Sequence, residues 1–599
     1  MGNSIEELTA AVEGKTVATE FLRIVEARGD AVALRQRAAD GESWDEWTFG
    51  EYAEHVAGAA ASLKARGIQP GDRVVLMMRN IVDFHMIDLA VVFCGATPIS
   101  IFNSSSPEQI AYLAGHCKAK LAIVEDQSFH ERFLKVGDEL PELGEIVDMS
   151  EQAEDLFHGH GTMELAEAAA DVSPETMATV IYTSGTTGPP KGVVITHFNV
   201  LYTAESLRRC FGDDLDLAGH RVVSYLPMAH IAERMTSHYS QITQGYEVTS
   251  CPEPGKIASY LRDVRPHIMF GVPRVWEKIQ AGVAAAIAAD PEKKAQFDEG
   301  VAAALPIAVD RSWDRATDKQ EATWDFLQDV AFRAVRELVG LDQVEFAITG
   351  AAPISRELLE WYQAIGVPLT EIYGMSESSG PMTWTPDRLK PGTVGPAIPG
   401  CEVTLADDGE IICRGGNVFS GYLDSPDKTA EALQDGWLHS GDIGEVDEDG
   451  YFKIVDRKKE LIITAGGKNV SPANLEAALK TVPLIGQACA IGDGRPFVAA
   501  LVVLDPEVAP VWAKQHGLDG LSLTELAENP EVVEEVERGV AEVMAQFNNV
   551  ERVKKVKVLG TEWLPDSEEL TPTSKLKRRG IHARYAAEIA SFYAPSGAA

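Results

Sequence analysis

Residues 182–192 read Tyr182-Thr183-Ser184-Gly185-Thr186-Thr187-Gly188-Pro189-Pro190-Lys191-Gly192. A strand-like Thr179-Val180-Ile181-Tyr182 leads into them and a helix opens near Asn199, so they make a loop at a strand end, rich in hydroxyls and glycine and carrying one lysine. Backbone N–H groups, hydroxyls and an ammonium gathered this way suit a polyphosphate. The positions of Gly185 and Lys191 do not fit the G-x-x-x-x-G-K-[ST] phosphate loop. A polar surface turn would look similar in isolation, so the rest of the chain has to decide.

Around this loop, helical and strand patterns alternate. Residues 50–66 predict a helix, Arg73-Val74-Val75-Leu76-Met77-Met78 a buried strand and residues 83–93 another helix. Such alternation implies an α/β protein with helices covering mixed or parallel sheets in several layers. Residues 281–340 are Ala-rich and charged; Trp324, Leu327, Ala331, Val335 and Leu338 recur at three to four residues, which predicts surface helices packed by one stripe. After residue 400 short strands and tight turns follow, among them a hairpin signal at Asp449-Gly450. A large domain should end near Val455, giving residues 1–456. Beyond a short linker at 457–459, residues 460–599 predict a small α/β domain, with a helix starting at Ser471-Pro472.

With 599 residues, 45% of them apolar, the chain can bury large cores. Its formal net charge of -38 argues against nucleic acid or an anionic membrane as a general partner. The partners expected are small molecules, with membrane contact at most peripheral. Seven scattered cysteines without a C-x-x-C pair argue against a disulfide framework or a zinc site and fit a reducing cytoplasm. The first residues lack the apolar run of a signal peptide. The most apolar stretch, Leu89 to Phe102, is broken by Gly95 and Pro98 and is too short to span a bilayer.

Further segments stand out in order along the chain: Gly350-Ala351-Ala352-Pro353, Glu371-Ile372-Tyr373-Gly374-Met375-Ser376-Glu377, Trp437-Leu438-His439-Ser440-Gly441-Asp442, Asp456-Arg457-Lys458-Lys459, Gly466-Gly467-Lys468 and Leu570-Thr571-Pro572-Thr573-Ser574-Lys575. Singly, each reads as a turn, a solvated carboxylate or a charged linker. Together with residues 182–192 they resemble the adenylate-forming superfamily, which includes acyl-CoA synthetases, luciferases and the adenylation domains of peptide synthetases. The resemblance covers nearly the whole chain.

It implies ATP, Mg2+ and coenzyme A. By that match Thr183, Ser184, Gly185, Thr186, Thr187, Gly188 and Lys191 face the phosphates, while Gly350, Ala351 and Ala352 lie against adenine. Tyr373 packs on the base with Gly374 and Met375 beside it, and Ser376 stands where the family usually has Thr. Glu377 holds the metal, Asp442 the ribose hydroxyls, and Arg457 the ribose or phosphates. Lys459 takes the hinge position of a swivelling small domain, and Gly466, Gly467 and Lys468 the loop facing the CoA thiol. Lys575 is the adenylation lysine, and Ser574 departs from the usual P-T-G-K. Thr183, Lys191, Glu377 and Lys575 are the expected catalytic set.

Leu226 to Arg234 (LPMAHIAER) and Phe270 to Lys278 (FGVPRVWEK) look like segments of long-chain and bubblegum-type acyl-CoA synthetases, which would put His230 and Ile231 at the acyl pocket or its gate. The activity implied is conversion of a long-chain fatty acid to acyl-AMP and then acyl-CoA. The alternatives are an acyl-AMP ligase serving another acceptor, a luciferase-like oxidative activity on the same fold and an inactive binding module. The basic residues Lys554, Lys555, Lys557, Lys577, Arg578, Arg579 and Arg584 read as a solvated face, with guidance of ATP or CoA phosphates as the other reading.

Overall fold

The computed structural model describes residues 3–183, 189–212, 215–288, 290–465, 469–564, 567–571 and 575–594. The largest sheet has seven strands in the order Leu369–Glu371, Phe346–Thr349, Ile268–Gly271, Arg221–Ser224, Glu247–Ser250, Val32–Arg37 and Trp44–Thr48. Its strands are parallel apart from the final antiparallel pair. A second sheet, Thr97–Ser100, Arg73–Met77, Leu121–Val124 and Glu145–Asp148, is parallel throughout. Between them the helix Val82–Phe93 is buried almost all round, as expected of a segment with no polar face.

The helices expected at residues 50–66 and 83–93 and the strand at 73–78 form as Phe49–Ala65, Val82–Phe93 and Arg73–Met77. The apolar stretch from Leu89 is shared between a helix and the strand Thr97–Ser100, and among the described residues no helix is long and apolar enough to cross a membrane. The stripe in the 281–340 helices packs through Trp324, Leu327, Ala331 and Val335, but Leu338 is 52% exposed and Val339 faces inward instead. The stripe stays in register through the π-helical turn at Gln328–Phe332, and its last step is four residues, Val335 to Val339, in place of three.

One group of buried charged side chains in this body forms a connected set. Arg234 donates to Asp88 at 2.7 Å, to Ser100 at 2.9 Å and to the Met228 carbonyl at 3.1 Å, and His238 Nε2 lies 3.0 Å from the other Asp88 oxygen. Burial alone would raise the Asp88 carboxyl, but the charges of Arg234 and His238 outweigh it and hold it at about 2.

The smaller C-terminal body is built on Ile485–Ile491, Val498–Leu504 and Val553–Leu559, covered by the helices Pro472–Leu479 and Pro530–Met544. Here Lys554, Lys555, Lys557, Arg579 and Arg584 are exposed, as a solvated face requires, but Arg578 departs from both expected readings. Arg578 is neither solvated nor open to a ligand: it makes two bonds to Glu476, at 2.6 and 2.8 Å, and one to Glu460 at 3.2 Å. Arg584 pairs with Glu569 at 2.6 Å, and the Lys555 ammonium caps the Phe592 carbonyl. Glu476 is 6% exposed, so removing its partner strands a buried carboxylate. Arg578→Ala is expected to destabilise this body by about 3 kcal/mol, measured as a shift in denaturant midpoint.

Candidate active site

The loop quoted first joins two strands of a hairpin, not a strand and a helix. Met177–Thr183 pairs antiparallel with Lys191–Thr196, setting Thr183 directly opposite Lys191, and the helix His197–Cys210 begins only after the second strand. A helix N-terminus therefore adds nothing at the loop itself. Ser184, Gly185, Thr186, Thr187 and Gly188 lie outside the described residues. The Lys191 ammonium sits 4.0 Å over the ring of Tyr422. Burial lowers its pKa, Glu377 opposes that, and Lys428 and Lys459 add to it.

Glu377 is 6% exposed and accepts a 2.7 Å hydrogen bond from Tyr422 through Oε1. Tyr422 was not anticipated; nothing in Ser420-Gly421-Tyr422-Leu423 signals that a two-residue strand at Gly421–Tyr422 pairs with Lys191–Thr196 and delivers its hydroxyl here. Among the described residues no group of three or more His, Cys, Asp or Glu could hold a metal alone. Tyr422 engages Oε1 of Glu377, and the other carboxylate oxygen beside substrate phosphates is a donor set that fits Mg2+.

The small-residue turn follows the strand Phe346–Thr349. A Cβ at Gly350 would fall 2.8 Å from Ile372 Cγ2, and Ala351 takes φ +68°, a left-handed conformation that costs a non-glycine residue about 1 kcal/mol. Tyr373-Gly374-Met375 forms a strand against Gly380–Thr383, so close that a Cβ at Gly374 would lie 1.9 Å from the Gly380 carbonyl oxygen. Ser376 is buried at the start of the turn that carries Glu377.

Asp442 and Arg457 face each other across the antiparallel pair Trp437–Val446 and Phe452–Arg457. Arg457 Nε lies 3.5 Å from Asp442 Oδ1, and the Tyr373 hydroxyl donates to Oδ2 at 2.7 Å. Burial raises the Asp442 pKa, against the pull of Arg457, Tyr373 and Lys575.

Lys575, 198 residues beyond Glu377 by number, converges on the same place. Its backbone N–H donates to Thr571 Oγ1 at 3.0 Å and its carbonyl accepts from Thr571 N at 2.8 Å, fixing Lys575 against Thr571. Removal from water and the charge of Arg457 push its pKa down to about 8, while Asp442, Glu377 and Glu460 pull it up. The imidazole of His230 is lowered to about 4, first by burial and then by Lys575. His230 Nδ1 accepts from Ala232 N–H at 3.1 Å, so the neutral ring carries its proton on Nε2. Ile231 is buried beside it.

The family described as AMP-binding enzyme matches residues 21–423, and the AMP-binding enzyme C-terminal domain matches residues 459–597. The chain belongs to the AMP-binding enzyme family. This AMP-binding enzyme is 34% identical to the long-chain-fatty-acid–CoA ligase FadD15 of Mycobacterium bovis, over 94% of each chain. It is 33% identical to the long-chain-fatty-acid–CoA ligase ACSBG2 of Xenopus laevis, covering 98% of this chain and 85% of that one. The crystal structure of the anthranilate CoA ligase AuaEII, with anthranoyl-AMP, superposes with a TM-score of 0.72 at 20% identity over 96% and 98% of the two chains, showing a shared fold.

In the AMP-binding enzyme described here, the connection between the bodies is short. Lys458 is tied to the larger one through Gly441 O at 2.8 Å and Glu410 at 3.1 Å, and Glu460 to the smaller one through Arg578. Lys459, exposed, stands between them. Asp456 also reaches across, accepting from Ser471 Oγ at 2.7 Å and Ala473 N at 3.0 Å at the start of the helix Pro472–Leu479. Gly466, Gly467 and Lys468 lie outside the described residues.

Proposed function

We propose that the chain uses ATP and Mg2+ to convert a long-chain fatty acid to acyl-AMP, and then passes the acyl group to coenzyme A. The observation that carries this reading is the convergence of Lys575, from the small body, on Asp442, Arg457, Glu377 and His230 of the large one. A free carboxylate is a poor acyl donor. Here it acts first as the nucleophile at the α-phosphorus, and pyrophosphate leaves. The acyl-AMP is a mixed anhydride from which the CoA thiol displaces AMP, so no side-chain nucleophile is needed.

In this reading Lys575 neutralises charge as it builds between the carboxylate and the α-phosphate. Thr183 and Lys191 meet the phosphates together with Ser184 to Gly188, and Glu377 supplies a hard oxygen ligand to Mg2+. Asp442 accepts both ribose hydroxyls. Gly350, Ala351 and Ala352 border adenine opposite Tyr373, with Gly374, Met375 and Ser376 completing that wall. His230, neutral and protonated on Nε2, faces the carboxylate end of the acyl group, with Ile231 behind it. Residues 1–456 form the larger domain and 460–599 the smaller, with the swivel at Lys459; that it lies between a residue bound to each body supports this. Rotation would withdraw Lys575 and present Gly466, Gly467 and Lys468 to the thiol.

The deciding experiment is mass spectrometry of products from purified protein given ATP, magnesium and mixed-length fatty acids, with and without CoA. Acyl-CoA formed only when CoA is present is the expected result and reads out chain-length preference. Acyl-AMP accumulating regardless of CoA would instead identify an acyl-AMP ligase.

A further inference from the structure

The segment Phe270 to Lys278 has no part in the chemistry above, yet it holds a defined place. The strand Ile268–Gly271 ends beside Phe346–Thr349, which leads into Gly350, and the helix Pro273–Ala288 starts immediately after it. The first turns of that helix carry Arg274, Glu277 and Lys278, and each pairs with a residue of the small body. Arg274 Nη2 donates to Asp505 Oδ2 at 2.5 Å, Lys278 meets Glu507 at 2.6 Å, and Glu277 lies 3.8 Å from Lys480.

These three contacts are not equivalent. Lys278 and Glu507 are 50% and 65% exposed, a setting in which an ion pair contributes little. Asp505 is 5% exposed and fully engaged: Oδ1 accepts from Glu507 N at 2.9 Å and Val508 N at 3.1 Å, just ahead of the helix Val508–Gln515, which leaves Oδ2 aimed at Arg274. Arg274 is steadied in turn by Glu277 at 3.5 Å. Both partners are thus fixed before they meet, and little side-chain entropy is lost in pairing them.

The connection at Lys459, with the Asp456 contacts to Ser471 and Ala473 close beside it, would still let the small body rotate about that point. A second contact, far along the chain from the pivot, removes this freedom. We propose that Arg274 and Asp505 are positioning residues for acyl-AMP formation: their ion pair holds the small body in the orientation that brings Lys575 to Asp442, Arg457 and Glu377. The proposal rests on the assignment of Lys575 to that step. A polar, partly exposed pair suits a contact made and broken in each cycle, since a large apolar interface would lock one orientation.

The test uses the full chain with Arg274→Gln, Asp505→Asn and the double variant; asparagine keeps an oxygen for the Glu507 and Val508 N–H groups. Pyrophosphate release from ATP and a long-chain fatty acid without CoA reads the first step, and thioester formation from supplied acyl-AMP and CoA reads the second. Each single variant should slow the first step about tenfold, a typical coupling between two states. The second step should be unchanged or faster, which also shows the variants are folded, and the double variant should be no slower than the worse single one. Equal loss in both steps, no loss in the first, or single losses that multiply in the double variant would overturn the proposal. Wild-type protein that forms no acyl-AMP would overturn the function reading itself, and this one with it.

Discussion

Lys575→Ala slows acyl-AMP formation by about 10²–10³-fold, the usual cost of removing one preorganised charge-stabilising group, and leaves thioester formation from supplied acyl-AMP nearly intact. The expectation follows from where the ammonium sits. It lies within electrostatic reach of Asp442, Glu377 and His230, its backbone is tied to Thr571, and in the proposed reading it has no role once the adenylate exists. The same placement predicts a pH dependence. The group is charged below its folded pKa of about 8 and loses the charge as pH rises through that value. Wild-type kcat/KM for the first step should therefore fall above about pH 8, because that parameter reports the free enzyme. Bound triphosphate favours the ammonium, so the fall in kcat should come at higher pH. Lys575→Arg should remove the fall, since guanidinium stays charged. Equal loss of both half-reactions in Lys575→Ala would end the division of labour proposed here.

Asp442→Ala is expected to raise KM for ATP by two or more orders of magnitude. A carboxylate accepting two hydroxyls of a ribose makes two charge-assisted bonds of about 1.5–3 kcal/mol each. In the structure that carboxylate is already oriented by Tyr373 at 2.7 Å and Arg457 at 3.5 Å, so little further ordering is needed when the sugar arrives. The discriminating measurement is turnover of 2′,3′-dideoxy-ATP. Wild-type protein should handle it far worse than ATP, and Asp442→Ala should treat the two alike. A variant that still prefers ATP would mean that another residue reads the ribose.

Much of this was legible without coordinates, for local reasons. Alternating periods of helix and strand mark an α/β protein wherever one face of an element is buried, and the helices at 49–65 and 82–93 obey that rule. Short motifs such as residues 182–192 survive as strings because phosphate, base and ribose each demand a few residue types close together in the chain. Where the reading failed, the cause was longer range. Arg578 looked like surface charge because neither Glu476 nor Glu460, its partners, is near it in sequence. Leu338 fell out of its stripe because steps of three and four residues continue a helical stripe equally well, and packing selected Val339.

The amino-acid sequence alone determined the layered α/β class and the ordered segments that place the chain among AMP-binding enzymes. The rest belongs to the tertiary structure: strand register setting Asp442 against Arg457 and Thr183 against Lys191, a two-residue strand bringing Tyr422 to Glu377, and the docking of the small body that carries Lys575 inward and Asp505 against Arg274. Register and docking are sums over many contacts between segments hundreds of residues apart, each worth little by itself, so no local string of residues encodes them.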